Sequence, residues 1–306
     1  MTSKIGIDIE NAKQILQQGG LVAIPTETVY GLAANALDKN AALKIFEAKN
    51  RPHFDPLIIH SNSIEKIKIW VTDFPQWAQD LANTFWPGPL TLLLPKKNTV
   101  PDIITSGLQQ VAVRIPKHAL TLQLLENLDF PLAAPSANPF GYVSPTTSQH
   151  VFAQLQNKVD YILDGGICDV GIESTIVGFD NGIVVYRLGG LTIEDIERVV
   201  GKVKIQLNQS SNPTAPGMLK SHYAPRKPLF ISDIETFIKN NVDKKVGVIS
   251  LKALSTKEDL KEAAHNLFAA IRELDESDVD VIIAEKFPDT FLGRAINDRL
   301  QRAAAK

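Results

Sequence analysis

A polar, proline-rich stretch from Leu207 to Arg226 interrupts this sequence two-thirds of the way along and separates two patterns of different kind. NQSSNPTAPGMLKSHYAPR (208–226) carries neither a helical nor a strand period. Stretches of that length without periodicity act as linkers or as functional lids. The whole chain of 306 residues also exceeds what one hydrophobic core usually holds. Two domains are therefore expected, 1–207 and 227–306, with 208–226 as the linker or lid between them.

In the first part LVAIPT (21–26), PLIIH (56–60), LTLLLP (90–95), VAVRIP (111–116), PLAAPSA (131–137), VDYILDGG (159–166), STIVGFD (174–180) and GIVVYR (182–187) read as strands. They are short, rich in Val, Ile and Leu, and bounded by Pro, Gly, Asn or Asp. Ala42, Ile45 and Phe46 share a helical face over 41–49, and Leu122, Leu125 and Leu128 share one over 118–128. Thr192 followed by Asp195 marks a further helix start. PTETVYGLAANA (25–36) reads as a strand-to-helix junction capped by threonine. Strands outnumber helices and the late ones come in adjacent pairs, which predicts a twisted, mixed, open α/β sheet with helices. Beyond the linker PLFIS, VGVISL and VDVIIAE alternate with helices, one carrying Leu260, Ala264, Leu267, Phe268, Ile271 and Leu274 on one stripe. That predicts a small parallel, Rossmann-like α/β domain.

Charge narrows the function. The 32 Lys plus Arg against 34 Asp plus Glu give a formal charge of -2, and residue 207 divides them 17 to 20 before and 15 to 14 after. Neither half has the basic excess that nonspecific phosphate binding needs, so no stable nucleic-acid binding is expected. One cysteine, Cys168, excludes an internal disulfide and a thiolate zinc cluster. No apolar run approaches ~18 residues, and the N-terminal residues lack the apolar core of a signal peptide. The expectation is a cytoplasmic enzyme with no membrane partner.

Glycine-rich phosphate loops of the G-x-x-x-x-G-K-[ST] and G-x-G-x-x-G types are absent, as is G-x-S-x-G, and the six histidines show no metal-ligand spacing. What remains are polar segments at strand and helix ends. Thr26, Thr28 and Tyr30 lie beside a Gly turn, Lys49 and Arg51 leave a helix, and His60 ends a strand. Ser136, Asn138 and Ser144 lie in a turn-rich loop, Glu173 and Ser174 precede a strand, and Arg187 stands before Gly189 and Gly190. Each has a bland reading in capping or turn chemistry. Arg114 is different, because arginine inside an otherwise apolar strand requires an anionic partner. Together, the cations and hydroxyls at the edges of one α/β domain describe an anion-binding pocket.

PTETVYGL, IFEAKNRP, DPLIIH, FWPGPLTLLLP, VAVRIP, AAPSANPFGYVSPTT, ILDGG, GIESTIVG and APGMLKSHYAP, in that order, closely resemble the L-threonylcarbamoyladenylate synthase family. The resemblance is to its long form, a YrdC-like domain followed by a linker and a small C-terminal domain. It covers almost the whole chain, RELDESDVDVIIAEKFPDTFLGRAINDRLQRAA included. It implies that L-threonine, bicarbonate and ATP give threonylcarbamoyl-AMP and pyrophosphate, with Mg²⁺. The product would pass to threonylcarbamoyl-transferase machinery acting on tRNAs that read codons beginning with A. By resemblance Thr28, His60, Arg114, Ala134 and Ser174 fall in the threonine site, with Arg114 as carboxylate partner. Lys49, Arg51, Asp55, Gln110, Ser136, Asn138, Ser144, Arg187 and Tyr223 fall around ATP, with Lys49 and Arg51 as electrostatic candidates. His222 and Tyr223 belong to a lid, and no metal ligand is assigned.

The chain departs from the family pattern at Ala33 and Asp55, where the family commonly has Gly and Asn. It departs again at Leu188, in place of Pro, and at Leu219, Lys220 and Ser221, in place of Lys-Tyr-Arg. Asp55 would bring negative charge to a phosphate site, or approach Mg²⁺. Two other readings stay open. One is an RNA-binding or assembly module on the same fold, which the near-neutral charge disfavours. The other is a carbamoyltransferase-type partner, which lacks here the expected zinc and acyl-phosphatase-like segments. If 208–226 is a lid, deleting it sharply reduces adenylate formation. Threonine-dependent pyrophosphate release measures this, and undiminished release in the deletion removes the lid.

Overall fold

Apolar runs bounded so closely by proline, glycine and asparagine leave room only for short strands, and the fold is a broad sheet assembled from such pieces. The computed structural model describes residues 3–207 and 218–305. The strands are β1 (Lys4–Gly6), β2 (Val22–Ile24), β3 (Gly31–Asn35), β4 (Ile58–His60), β5 (Leu90–Pro95), β6 (Gln110–Arg114) and β7 (Leu132–Ala133). They continue with β8 (Tyr161–Leu163), β9 (Thr175–Phe179), β10 (Ile183–Arg187), β11 (Lys204–Ile205), β12 (Leu229–Ile231), β13 (Val246–Ile249) and β14 (Val281–Ala284). Among the described residues the first eleven form one sheet in the order β1-β8-β2-β3-β7-β4-β6-β5-β9-β10-β11. Parallel pairs such as β4 with β6 stand beside antiparallel ones such as β5 with β6, so the sheet is mixed.

Side chains alternate between the two faces of a strand. Ile59, Val113, Val177 and Val185 point into the main core, where they meet Ile45, Phe46 and Leu81 from the helices Lys39–Lys49 and Gln76–Phe85. Ile58, Ala112, Ile176, Val184 and Tyr186 point the other way, and the side chain of Met218 packs on them. The helix Lys39–Lys49 starts where the Asp38 carboxylate accepts from the amides of Asn40 and Ala41. It stops at Asn50, whose φ of 52° is left-handed, and this stop delivers Lys49 and Arg51 to the sheet's second face. The helix start expected at Thr192 is a capping box with Asp195.

The segment PTETVYGLAANA is not a strand-to-helix junction. β2 and β3 pair antiparallel, Val22 with Ala33 and Ile24 with Gly31, so the segment is a hairpin connection followed by a strand. GLAAN lacks the β-branched residues that mark strands, and its pairing partners come from remote sequence. The helices Ile9–Gln17, Gln76–Phe85 and Ser148–Leu155 also went unread.

The second sheet is parallel throughout, in the order β12-β14-β13. Its helix Leu260–Glu276 buries Ala264, Leu267, Phe268 and Ile271 of the expected stripe, leaves Leu260 and Leu274 half-buried, and buries Arg272 and Asp275 as well. Those two charges face the first domain. Arg272 donates to the carbonyls of Val143 and Ser144, and Asp275 accepts from Tyr142 Oη at 2.5 Å. Gly171, at a φ of +77°, lets the two backbones close. A Cβ there would lie 2.3 Å from the His265 carbonyl oxygen.

Candidate active site

Strand register builds the site. β4 and β6 run parallel with His60 opposite Arg114, and both side chains share the face of Ile58 and Ala112. Ala134, Pro135 and Ser136 leave β7 beside them, Thr26, Thr28 and Val29 come from the β2–β3 connection, and Arg187 ends β10 after a register shift. With Arg51, Glu173, His222 and Tyr223 these residues line a cavity of about 50 Å³. The site thus gathers residues from the ends of β4, β6, β7 and β10 on one face of the sheet.

The charges here are buried and compensated. Arg114 donates from Nη2 to Glu27 Oε1 at 2.7 Å, and the other Glu27 oxygen accepts from the Lys117 amide at 2.9 Å. Arg114 Nε is buried without a hydrogen-bond partner, a donor left for an anion. His60 is fully enclosed, and burial with the nearby Arg114 charge pushes its pKa down to about 3. Its Nδ1 lies 3.2 Å from the Ile58 carbonyl, which can only accept, so Nδ1 carries the proton and Nε2 keeps a lone pair. Thr28 Oγ1 meets Thr26 Oγ1 at 2.8 Å. Ser174 Oγ meets Thr91 Oγ1 at 2.7 Å and accepts from Arg187 Nη2 at 3.0 Å. Burial brings the Arg187 pKa down to about 10, which leaves it charged at neutral pH.

Lys49, Asp55, Asn138 and Ser144, also expected around ATP, stand behind the cavity wall. Lys49 donates to the carbonyls of Ser136 at 2.6 Å and Asn138 at 2.5 Å, pinning the Pro135–Asn138 turn. Burial holds its pKa well below the ordinary lysine value. Arg51 pairs with the enclosed Asp55 carboxylate at 2.9 Å and donates to the Asp55 and Pro56 carbonyls. Asp55 is absent from the cavity lining, so as it stands it meets Arg51 and not a ligand. Asn138 Nδ2 holds the carbonyls of Pro139 and Tyr142, and Ser144 Oγ donates to Glu173 Oε1 at 2.6 Å. Gln110 does not join the group. It starts β6 while Arg114 ends it, and it lines a different surface cleft with Trp77 and Phe179. Tyr30 is buried with its hydroxyl on the Gly166 carbonyl at 2.8 Å, bracing the site from outside.

Residues 208–217 of the expected lid lie outside the described residues. The part from Met218 to Arg226 is no loose tether: His222 and Tyr223 are buried and line the cavity. Tyr223 stacks on Phe268 at 5.4 Å and meets the His222 ring at 4.1 Å. Sequence reasoning took Glu173 only as a polar residue before a strand and did not single out Glu27, Arg272 or Arg299. Glu27 stands 87 residues from Arg114, and among the several acids of the motif blocks no spacing singles it out as the anionic partner. Among the described residues no group of three or more His, Cys, Asp or Glu side chains could hold a metal ion, and no helix is long and apolar enough to cross a membrane.

A mixed-sheet α/β domain, with a buried cationic cavity roofed by a segment leading into a small parallel α/β domain, defines a two-domain YrdC-like protein. Residues 14–189 match the family described as "Telomere recombination", and residues 191–305 match "Threonylcarbamoyl-AMP synthase, C-terminal domain". The chain is 43% identical to the threonylcarbamoyl-AMP synthase of Pyrococcus abyssi, over 97% of this chain and 94% of the relative. It is 40% identical to that of Bacillus subtilis, over 97% and 92%. A crystal structure of P. abyssi Sua5 complexed with L-threonine superimposes with a TM-score of 0.93 at 42% identity, over 97% of this chain and 94% of that one. The chain belongs to the threonylcarbamoyl-AMP synthase family.

One outcome follows from the buried charges. For His60, the unfolded chain takes up a proton below pH 6.5 while the folded site does not until about pH 3. Stability is therefore complete above pH 6.5 and is lost as pH falls toward 3, by about 1.4 kcal/mol per pH unit. Urea denaturation at pH 7 and pH 5 measures the slope, which His60→Gln flattens.

Proposed function

We propose that this protein joins L-threonine, bicarbonate and ATP into threonylcarbamoyl-AMP with release of pyrophosphate. The observation that carries the reading is the register pairing of His60 with Arg114 in a cavity that Arg187 and Arg51 also line. This puts a neutral acceptor and a carboxylate partner in one space with two phosphate partners. The L-threonine complex of the P. abyssi relative supports an amino acid in the corresponding space.

Arg114 offers the unused Nε to the threonine carboxylate, and Glu27 keeps its guanidinium in place. His60 Nε2 accepts from the substrate's ammonium or hydroxyl group. The amine, its ammonium proton released to solvent, attacks the bicarbonate carbon; a C–N bond forms, a C–O bond breaks, and hydroxide leaves with an amine proton as water, giving the carbamate. A carbamate oxygen then attacks the α-phosphorus, a P–O bond forms, and the bond to pyrophosphate breaks. Arg51 and Arg187 stabilise the charge that develops on the phosphate oxygens. No side chain serves as covalent nucleophile. Cys168 is buried, and burial pushes its thiol pKa up, away from a reactive thiolate.

The space left under Tyr223 is far below the ~300–1,000 Å³ of typical ligand sites. ATP enters only when the described end of 208–226 moves, and its return shields the carbamate from water. In this reading 1–207 is the catalytic domain, 227–306 the second domain and 208–226 the lid between them. Asp55 pairs with Arg51 outside the cavity lining, although neither carboxylate oxygen has a hydrogen-bond partner, so Mg²⁺ would arrive on the nucleotide's phosphates and no step is assigned to it. The adenylate would then serve threonylcarbamoyl transfer to tRNA adenosine by separate machinery.

Purified protein with ATP and bicarbonate releases pyrophosphate only when threonine is added, and mass spectrometry finds the threonylcarbamoyl adenylate. Release without threonine dependence, or none, overturns the reading.

A further inference from the structure

The last helix, Leu292–Ala304, buries Asp298, Arg299 and Arg302 along one side. Helices bury charge at a cost unless it is paired, and here each charge is answered. Asp298 accepts from Arg299 Nη1 at 2.8 Å and from Arg302 Nε at 3.0 Å. The two arginines hold the roof of the cavity. Arg302 Nη1 donates to the Leu219 carbonyl at 2.5 Å. The Arg302 carbonyl, in the helix's last turn where no intrahelical partner exists, accepts from the His222 amide at 3.2 Å. The Arg299 guanidinium lies 5.1 Å from the centre of the Tyr223 ring.

Arg299 also reaches the cavity wall. Its Nε donates to Glu173 Oε2 at 2.8 Å, and Glu173 lines the cavity. Tyr223 itself has a φ of 61°, a left-handed conformation that a residue with a Cβ keeps only when its surroundings impose it. One side chain of the second domain thus touches both the first domain's wall and the roof residue.

We propose that Arg299 is a positioning residue for the reaction, coupling Glu173 to Tyr223 so that the last helix carries the His222–Tyr223 segment as a unit and holds it closed over bound reactants. The proposal rests on the synthase reading above and gives the second domain its part in the chemistry. It assigns the closing force to a guanidinium lying over the Tyr223 ring while its Nε and Nη1 hold Glu173 and Asp298, a fork that an ammonium of equal charge does not reproduce.

The test uses the full chain. Arg299→Lys keeps a charge near Glu173 and Asp298 but loses the fork that holds both while lying over Tyr223. The expected result is a fall of about tenfold in kcat/KM for ATP, equivalent to about 1.4 kcal/mol, with the threonine KM within about twofold. In a Tyr223→Leu background the same change adds less than about twofold, because the effect travels through the ring. Arg302→Met, which leaves Glu173 its partner, gives a fall of similar size even if Arg299→Lys does not fold. Hydrogen exchange at the His222 amide accelerates about tenfold in either variant, whatever the activity. Unchanged or improved ATP kinetics in folded variants, full additivity with Tyr223→Leu, or unchanged exchange overturns the proposal. Wild-type protein without threonine-dependent pyrophosphate release overturns the synthase reading instead, and the exchange result then decides the coupling alone.

Discussion

Placing cations on a sheet face sealed from water sets the terms for the rest of this structure. Lys49, Arg51, Arg114, Arg187 and Arg299 are all buried, and each would be prohibitively costly alone. Their compensation ties distant segments together. Glu27 from the β2–β3 connection answers Arg114, the Ser174 carbonyl and hydroxyl answer Arg187, and turn carbonyls answer Lys49. Glu173 is shared between Ser144 and Arg299, across both domains. Buried ion pairs are poor sources of net stability, whereas removing one partner costs about 3–5 kcal/mol. Such a network acts chiefly as geometry. It fixes where each donor points before any substrate arrives, which is what electrostatic catalysis of phosphoryl chemistry requires.

Near-neutral composition follows from the same constraint. A basic surface for nucleic acid can leave its cations in water, but a closed cavity must bring its counter-charges with it. The carboxylates of Glu27, Asp55, Glu173 and Asp298 lie within the chain beside the cations they hold. A formal charge of -2 therefore coexists with a strongly cationic set of donors at one place. Charge counted over the sequence speaks for the outer surface and is silent about the interior.

The strands with β-branched residues were legible, because burial on a pleated surface selects those residues locally. β3 was not, since GLAAN is defined by its partners β2 and β7 rather than by its own composition. Arg114 was legible as an anomaly, an arginine in VAVRIP, and its burial confirms the anomaly. What the pattern could not show was the face on which it lies. Strand periodicity says that His60 and Arg114 can share a side, but only the parallel register of β4 with β6 sets them opposite each other. The placement of Gln110 fails for the same reason. It belongs to the same strand as Arg114 but sits four residues away at the other end. The second domain's helix stripe was correct as a core pattern, while Arg272 and Asp275 beside it were invisible as interface residues because a solvated helix face looks the same in sequence.

The departures from the family pattern fall where the structure can absorb them. Asp55 spends its carboxylate on Arg51 behind the cavity wall. Ala33 is buried opposite Val22 in β3, where a Cβ fills core space, and Leu188 packs against the main core. The replaced lid residues are the most instructive. Lys220 and Ser221 are exposed, while the contacts that seat this segment on the last helix come from the Leu219 carbonyl and the His222 amide. Backbone atoms are present whatever the side chain, so these three positions can vary without loosening those two contacts. Tyr223 has no such freedom, because its ring supplies both the stack on Phe268 and the face presented to Arg299. Constraint on the roof is thus concentrated in the aromatic pair and in the helix that grips it, and it is relaxed in the residues between.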